Sequence, residues 1–230
     1  MKAKIIWNKT KKWAIKASSE VKDFLKEKGV KVVKKKPDFT IVIGGDGTIL
    51  YHKDELEGAI FGIGSPKSFV CQCTCENWKE CLGDFVSKPK YEERMLMEVK
   101  FRKKKYATIN DVALLSQRHE MLTVSVEIDK DEYCFDADGA VISTPTGSTA
   151  YAYAAGGPVI EPTLELFNIV PIAPDKRLFD PVVVSPSHKI ILKAYNPAHL
   201  ILDGGKLLNV KKGEKIIVQK SRKKIKFAVS

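Results

Sequence analysis

The stretch Phe39-Thr-Ile-Val-Ile43-Gly44-Gly45-Asp46-Gly47-Thr48 decides the fold of the first part of this 230-residue chain. Its first five residues form a continuous run suited to a buried parallel strand. The glycines that follow permit a tight turn and let backbone N–H groups approach a phosphate closely. The stretch therefore predicts a strand that is followed by a helix, with a phosphate-binding turn between the two.

The sequence around this stretch alternates between strand and helix patterns. Residues 3–7, 30–33 and 59–63 are short apolar runs, whereas residues 12–28 carry apolar side chains at helical spacing and are followed by Gly29. Strands that alternate with helices imply a parallel sheet whose ligands bind at the carboxyl ends of the strands.

The pattern changes after a predicted helix at residues 76–87 and a boundary at Pro89. Closely spaced β segments with Gly, Pro, Asn and Asp between them favour an antiparallel sandwich. The predicted fold class is thus an N-terminal α/β domain with a parallel sheet, residues 1–90, followed by a β-sandwich-like domain, residues 91–230. The predicted strands of the second domain are residues 95–102, 107–116, 122–128, 132–135, 182–184, 189–194, 200–202 and 215–219.

The formal net charge of +11 arises largely from short lysine runs. Such runs suit a polyanionic partner or simply a solvated surface. Aromatic residues do not interleave with them as a base-stacking platform requires, so we expect no nucleic-acid partner. We also expect no membrane partner, because no apolar stretch approaches the roughly 20 residues of a membrane span. A cytoplasmic location is the default expectation.

Four of the five cysteines, Cys71, Cys73, Cys75 and Cys81, crowd into eleven residues. An odd total in this layout is not a secreted disulfide framework. Metal binding is an alternative, but the paired knuckles of a zinc ribbon are missing. We interpret the cluster as small buried or half-buried thiols in a strand-like segment.

Asp46 is unexpected in a phosphate cradle, because its carboxylate would repel the anion. Its position favours a chemical role, either accepting a proton from an attacking hydroxyl or helping to hold Mg²⁺.

A second sequence motif runs from Asp138 to Tyr151 and continues to Pro158. Its five hydroxyl side chains could donate to a ligand or belong to an ordinary loop, and the residues alone leave both open.

The Gly44–Leu50 and Asp138–Pro158 stretches together resemble the two signature regions of the NAD kinase family. Asn110-Asp111 between them resembles that family's Asn-acidic pair. The later segments 170–174 and 202–205 resemble its Pro-rich and Asp-Gly elements, so the resemblance covers residues 40 to about 205.

The resemblance implies a phosphotransferase that makes NADP by Mg²⁺-dependent transfer from ATP or polyphosphate to the 2′-hydroxyl of NAD. Asp46 would be the proton acceptor, and the family is usually a homo-oligomer. The last 15 or so residues would fold back onto the first domain. The residues that the resemblance places at the substrates are Gly45, Gly47, Thr48, Leu50, Phe69, Asn110, Asp111, Asp138, Thr146, Thr149, Ala150 and Tyr151.

Three positions depart from the family pattern: the loop at residues 62–69, Ala154 in place of a serine, and Asp111 in place of the common glutamate. None of them is the proposed base. The rival hypotheses are a lipid kinase of the related superfamily, which shares the Gly-Gly-Asp-Gly-Thr element, and a non-catalytic NAD(P)-binding protein.

Overall fold

A computed structural model of the chain describes residues 1–117, 120–176 and 178–229. These residues form two compact units. The first comprises residues 1–93 together with residues 225–229, and the second comprises residues 94–224. The boundary predicted from the sequence lies after residue 90, and the two units divide between Glu93 and Arg94.

The first unit is built on a parallel sheet. Its strands pair in the order β2-β1-β3-β4 with β5 beside β4, and each of these pairings is parallel. A 3₁₀ turn at Lys53–Glu55 follows the second helix. The elements are β1 (Lys2–Trp7), α1 (Lys12–Glu27), β2 (Lys31–Val32), β3 (Phe39–Ile43), α2 (Asp46–Tyr51), β4 (Ala59–Gly64), β5 (Cys73–Thr74) and α3 (Trp78–Ser87).

Helical spacing explains how α1 covers this sheet. Its buried residues are Ala14, Ala17, Val21 and Leu25, which recur every three or four positions and therefore share one face. All five residues of β3 are buried, as its uninterrupted apolar sequence predicts for a central parallel strand.

The second unit is almost entirely β structure. Its elements are β6 (Tyr91–Phe101), β7 (Lys104–Thr108), β8 (Asp111–Ser116), β9 (Leu122–Ile128), β10 (Asp131–Ala137), β11 (Gly139–Ser143), a 3₁₀ turn (Thr146–Thr149), α4 (Tyr151–Ala154), β12 (Phe167–Ile172), β13 (Val182–Val184), β14 (Ile190–Ala194), β15 (Ala198–Leu202), β16 (Lys206–Val210) and β17 (Ile216–Ala228). The first residues of β6 and the last residues of β17 belong to the first unit.

Two layers of strands enclose the core of the second unit. One layer is antiparallel throughout, in the order β13-β12-β11-β8-β15-β16. The other follows the order β10-β9-β14-β17-β6-β7. Val112 and Leu114 of the first layer share one apolar core with Val124 and Val126 of the second. Ala113, which points to the opposite face of β8, packs in the cluster that contains Ala152 of α4.

Two details of the predicted strands are wrong. The segment 107–116 is two strands, because the chain turns at Ile109 and Asn110 between β7 and β8. Three strands, β11, β12 and β16, were not predicted. Proline is usually confined to edge strands and bulges, yet Pro171 of β12 pairs with Ala140 inside the sheet. None of the helices in the described part of the chain is long and apolar enough to cross a membrane.

Candidate functional site

The turn at residues 44–48, which we call the glycine turn, joins β3 to α2 in the first unit. Gly44 and Gly45 have φ angles of 150° and 98°, values that favour glycine. A Cβ atom on Gly44 would lie 2.4 Å from the Thr48 hydroxyl oxygen. Glycine is therefore required here both by backbone conformation and by space.

Asp46 begins α2, and its carboxylate is held by the loop after β4. Phe69 N–H donates to Oδ2 at 2.7 Å, and the N–H groups of Val70 and Cys71 donate to Oδ1 at 3.1 and 3.2 Å. Phe69 is thus joined to Asp46 through its backbone, whereas the residue as a whole is 73% exposed. Three donors set the orientation of the carboxylate.

Lys11 is a cation at this turn that was not predicted from the sequence. Its Nζ donates to the Gly44 carbonyl at 2.7 Å and lies 6.0 Å from the centre of the Trp13 ring. Within the run Lys11-Lys12, no sequence signal distinguishes Lys11 from a solvated lysine.

A cavity of about 490 Å³ adjoins the glycine turn. It is lined by Trp7, Asn8, Lys9, Thr10, Gly47, Thr48, Tyr51 and His52.

The cysteine cluster lies beside this turn. Cys73 is buried and Cys71 is half-buried, whereas Cys75 is exposed, so the expectation of buried or half-buried thiols is wrong for Cys75. Burial, followed by the nearby Asp46 carboxylate, raises the pKa of the Cys71 thiol well above its usual range. Among the described residues, no group of three or more His, Cys, Asp or Glu side chains is arranged to hold a metal.

In the second unit, the carboxylate of Asp203 shapes the turn that contains Asn110 and Asp111. Its Oδ1 accepts the N–H groups of Ile109, Asn110 and Asp111 at 3.1, 2.8 and 3.3 Å. These bonds divert the backbone from the sheet and explain why β7 and β8 are separate strands. Asp203 belongs to the Asp-Gly element of the resemblance, but its role as an anchor was not predicted.

The turn at residues 144–149, which we call the hydroxyl turn, packs tightly against Asn110. Thr144 N–H donates to the Asn110 carbonyl at 2.8 Å, and the Thr144 hydroxyl donates to the Ile109 carbonyl at 2.6 Å. A Cβ atom on Gly147 would lie 2.2 Å from the Asn110 carbonyl oxygen. Only glycine allows this approach.

The five hydroxyls of this region have different roles. Those of Thr144 and Ser148 serve the fold, since Ser148 donates to the Pro145 carbonyl at 2.7 Å and accepts the Ile160 N–H at 2.9 Å. By contrast, within the described residues Thr146 Oγ1, Ser143 Oγ and Asn110 Oδ1 are buried and have no hydrogen-bond partner. Such atoms are rare in proteins and mark contacts made by water or a ligand.

Two predicted carboxylates of the second unit, Asp138 and Asp111, act on a third predicted residue, Tyr151. Burial, then Asp138, then Asp111 raises the pKa of the Tyr151 hydroxyl. The electrostatic effect of both carboxylates on one phenol places all three side chains in one neighbourhood. Thr149 and Ala150, just before Tyr151, are half-buried.

Similarity to known proteins agrees with this geometry. The family profile described as the ATP-NAD kinase C-terminal domain matches residues 109–230. The chain belongs to the NAD kinase family. An NAD kinase of Fusobacterium nucleatum subsp. nucleatum is 33% identical over all of this chain and 92% of its own length. Another, from Methanothermobacter thermautotrophicus, is 34% identical over 88% of this chain and 75% of its own length.

Solved structures of NAD kinases share the fold. The NAD kinase of Archaeoglobus fulgidus, solved in complex with ATP, has a TM-score of 0.87 and 30% identity over 99% of this chain and 93% of its own. Yeast NADH kinase, solved with NADH, has the same TM-score of 0.87 at 18% identity over 100% of this chain and 83% of its own. That second likeness concerns the fold.

The comparisons bear out three predictions from the sequence. The resemblance to the NAD kinase family is confirmed, as is the fold class of an α/β domain followed by a β-sandwich-like domain. The enzyme class, a phosphotransferase that acts as an NAD kinase, is confirmed by the same relatives.

Proposed function

We propose that this member of the NAD kinase family transfers the terminal phosphoryl group of ATP or polyphosphate to the 2′-hydroxyl of the adenosine ribose of NAD. The observation that carries this proposal is the Asp46 carboxylate, which three backbone N–H groups hold at the carboxyl end of β3. A carboxylate oriented before substrate binds is what a general base requires.

Asp46 would take the proton of the attacking hydroxyl. As the ribose oxygen forms its bond to the terminal phosphorus, the bond to the bridging oxygen breaks and the shortened donor leaves with that electron pair. A carboxylate has about four acceptor positions. Oδ1 accepts two backbone N–H groups and Oδ2 accepts one, so Oδ2 is the oxygen with room for the hydroxyl.

The glycine turn would hold the phosphate groups. We propose that Gly45, Gly47 and Thr48 approach the donor or the dinucleotide closely, since glycines leave backbone N–H groups uncovered. Leu50 and the exposed ring of Phe69 would flank the dinucleotide, the ring at its adenine. The ammonium of Lys11 would offset charge on the phosphates.

Residues of the second unit would bind the dinucleotide itself. The unpartnered Asn110 Oδ1 and Thr146 Oγ1 support this role, because a polar ligand would satisfy both. Asp111 would contact the ribose next to the adenine, and Asp138 the nicotinamide end. The residues proposed to line the adenine pocket are Thr149, Ala150 and Tyr151.

Mg²⁺ is the proposed cofactor, and the residues present fit a particular way of holding it. Mg²⁺ usually keeps several waters and binds through one or two carboxylates together with substrate phosphates. Because the free position on Asp46 Oδ2 is the one proposed for the hydroxyl, Asp46 would reach the ion through one of its waters, and the donor would bring the phosphates. The ion would neutralise phosphate charge during the reaction.

NADP formation from NAD, ATP or polyphosphate, and Mg²⁺ tests the proposal, with Asp46→Asn and Asp54→Asn compared. Asp54 is an exposed carboxylate eight residues further on and serves as the matched control. We expect Asp46→Asn to lower turnover by about 10²-fold or more, and Asp54→Asn to leave it unchanged. Near-normal turnover of Asp46→Asn would refute the role of base.

The same assay separates the rival functions. Phosphorylation of a diacylglycerol or sphingoid base in vesicles, without NADP formation, would favour the lipid kinase. NAD binding without turnover with either donor would favour a non-catalytic binder.

We further propose that the protein is a homo-oligomer and lies in the cytoplasm. The free thiols of all five cysteines suit a reducing compartment.

A further inference from the structure

A basic groove lies on the surface of β6, β7 and β17 in the second unit. Its volume is about 530 Å³, within the range of small-molecule sites. Five of its lining side chains are cationic, and Glu98 is the one carboxylate among them. The lining residues are Glu98, Lys100, Lys105, Tyr106, Ala107, Gln219, Lys220, Ser221, Arg222 and Lys223.

Strand pairing concentrates these charges. Lys100 of β6 pairs with Lys105 of β7, and Glu98 pairs with Ala107. Residues two apart on a strand face the same side, so Glu98 and Lys100 share a face. Like charges directly across a strand pair are destabilising, and an anion that binds between them would relieve the repulsion.

The carboxylates near the groove neutralise only some of its cations. Lys100 Nζ lies 3.4 Å and Lys105 Nζ 4.0 Å from Glu98. Lys220 is paired with Glu165. Within the described residues, no ion pair is found for Arg222 or Lys223, and both are exposed. The groove therefore retains a positive charge beyond what its acidic neighbours compensate.

We propose that this groove binds a compact, multiply charged phosphate compound, such as one with a short chain of phosphate groups. The guanidinium of Arg222 has the planar donor fork that matches phosphate oxygens. Tyr106 and Ser221 add hydroxyl groups. The groove shares no residue with those proposed to hold the dinucleotide or the donor, so binding here does not depend on the proposed function.

The groove favours a small phosphate compound over a nucleic acid. Single-stranded nucleic acids are bound by basic grooves in which aromatic rings stack on the bases. Tyr106 is the one aromatic residue of this lining, and the Lys206 ammonium lies 4.7 Å from the centre of its ring. The Lys206 ammonium therefore occupies a position over the Tyr106 ring that a stacked nucleic-acid base would need.

Calorimetric titration of the full-length protein with inorganic tripolyphosphate tests the proposal. The groove variant is Arg222→Gln with Lys223→Gln, and the matched control is Lys34→Gln with Lys35→Gln, two exposed lysines of the first unit that carry the same charge. All four residues are exposed, so we expect both variants to fold, and an unchanged melting temperature checks this. Inorganic phosphate and ATP, titrated in parallel, show whether a chain of phosphates or any phosphate group suffices.

We expect the groove variant to bind tripolyphosphate about tenfold or more weakly, since a tenfold loss corresponds to about 1.4 kcal/mol and one hydrogen bond to a charged group is worth about that much or more. The control should change less than about twofold, and binding of the wild type should weaken as salt rises. Equal losses in both variants, no tripolyphosphate binding by the wild type, or tighter groove-dependent binding of a single-stranded DNA would overturn the proposal.

Discussion

The glycine turn of the first unit and the hydroxyl turn of the second differ in how their polar atoms are satisfied. In the glycine turn, Asp46 accepts three backbone N–H groups. Beside the hydroxyl turn, Asn110 Oδ1 and Thr146 Oγ1 are buried without a partner in the described part of the chain. An unpaired buried polar atom lowers the free energy of unfolding. The first turn is therefore complete without substrate, whereas a polar ligand would complete the second.

The largest change in stability is expected where the hydroxyl turn has no space. Gly147→Ala would place a Cβ 2.2 Å from the Asn110 carbonyl oxygen, so Asn110 or the turn must move. We expect the free energy of unfolding to fall by about 3 kcal/mol, measured by urea denaturation, with weaker NAD binding. Gly205→Ala is the control, because its Cβ would meet only the Asp203 carbonyl at 3.8 Å. Equal free energies of unfolding for the two variants would show that the hydroxyl turn can move to accommodate the added Cβ at little cost.

A smaller loss is expected when the anchor of the Asn110 turn is removed. Asp203→Ala leaves the buried N–H groups of Ile109, Asn110 and Asp111 without their acceptor. We expect about 2 kcal/mol of destabilisation and a higher KM for NAD. Asp131→Ala, which removes an exposed carboxylate at the start of β10, should alter neither. An unchanged KM in Asp203→Ala would mean that the turn does not position the substrate.

Two threonines of the hydroxyl turn differ in whether their hydroxyl groups are hydrogen-bonded. Thr146→Val removes a buried hydroxyl that has no partner among the described residues. We expect the free energy of unfolding to stay the same or rise, because the variant no longer buries an unsatisfied hydroxyl, and NAD affinity to fall about tenfold, as for one lost hydrogen bond. Urea denaturation and NAD titration measure the two quantities.

Thr144→Val provides the opposite case two residues earlier. Its hydroxyl donates to the Ile109 carbonyl at 2.6 Å and accepts the Gly147 N–H at 3.2 Å. We expect about 1 kcal/mol of destabilisation, so this variant should lose more stability than Thr146→Val. The reverse order would show that the unpartnered hydroxyl, rather than the bonded one, stabilises the turn.

The smallest effect concerns the thiols beside the glycine turn. Burial raises the pKa of Cys71 and of Cys73, so both stay protonated at pH 8, and the thiolate is the reactive form. We expect iodoacetamide to modify the exposed Cys75 and Cys134 first, as followed by mass spectrometry. The rate at Cys71 should rise in Asp46→Asn, which removes a negative charge that disfavours its thiolate. Equal rates for all four thiols in the wild type would contradict the buried placement.

Local sequence predicted the elements whose side chains follow one clear period. The helix predicted at residues 12–28 is α1, and the apolar runs at 39–43 and 59–63 are β3 and β4. The predictions of secondary structure fail where contacts with residues distant in the sequence override the local preference of the chain for strand or turn. The segment 107–116 is continuous in its apolar pattern, yet Asp203 breaks it, and β12 forms although it contains Pro171.

The sequence by itself determined the family and the fold class and predicted most of the residues of the proposed chemistry, because the Gly44–Leu50 and Asp138–Pro158 stretches are contiguous and can be recognised without a fold. Only the tertiary structure decided which polar atoms are already bonded. Asn110 and Asp203 lie 93 residues apart, and Asp46 and Phe69 lie 23 apart. The physical reason is that a hydrogen bond depends on distance and direction in space, and chain folding alone brings such partners together.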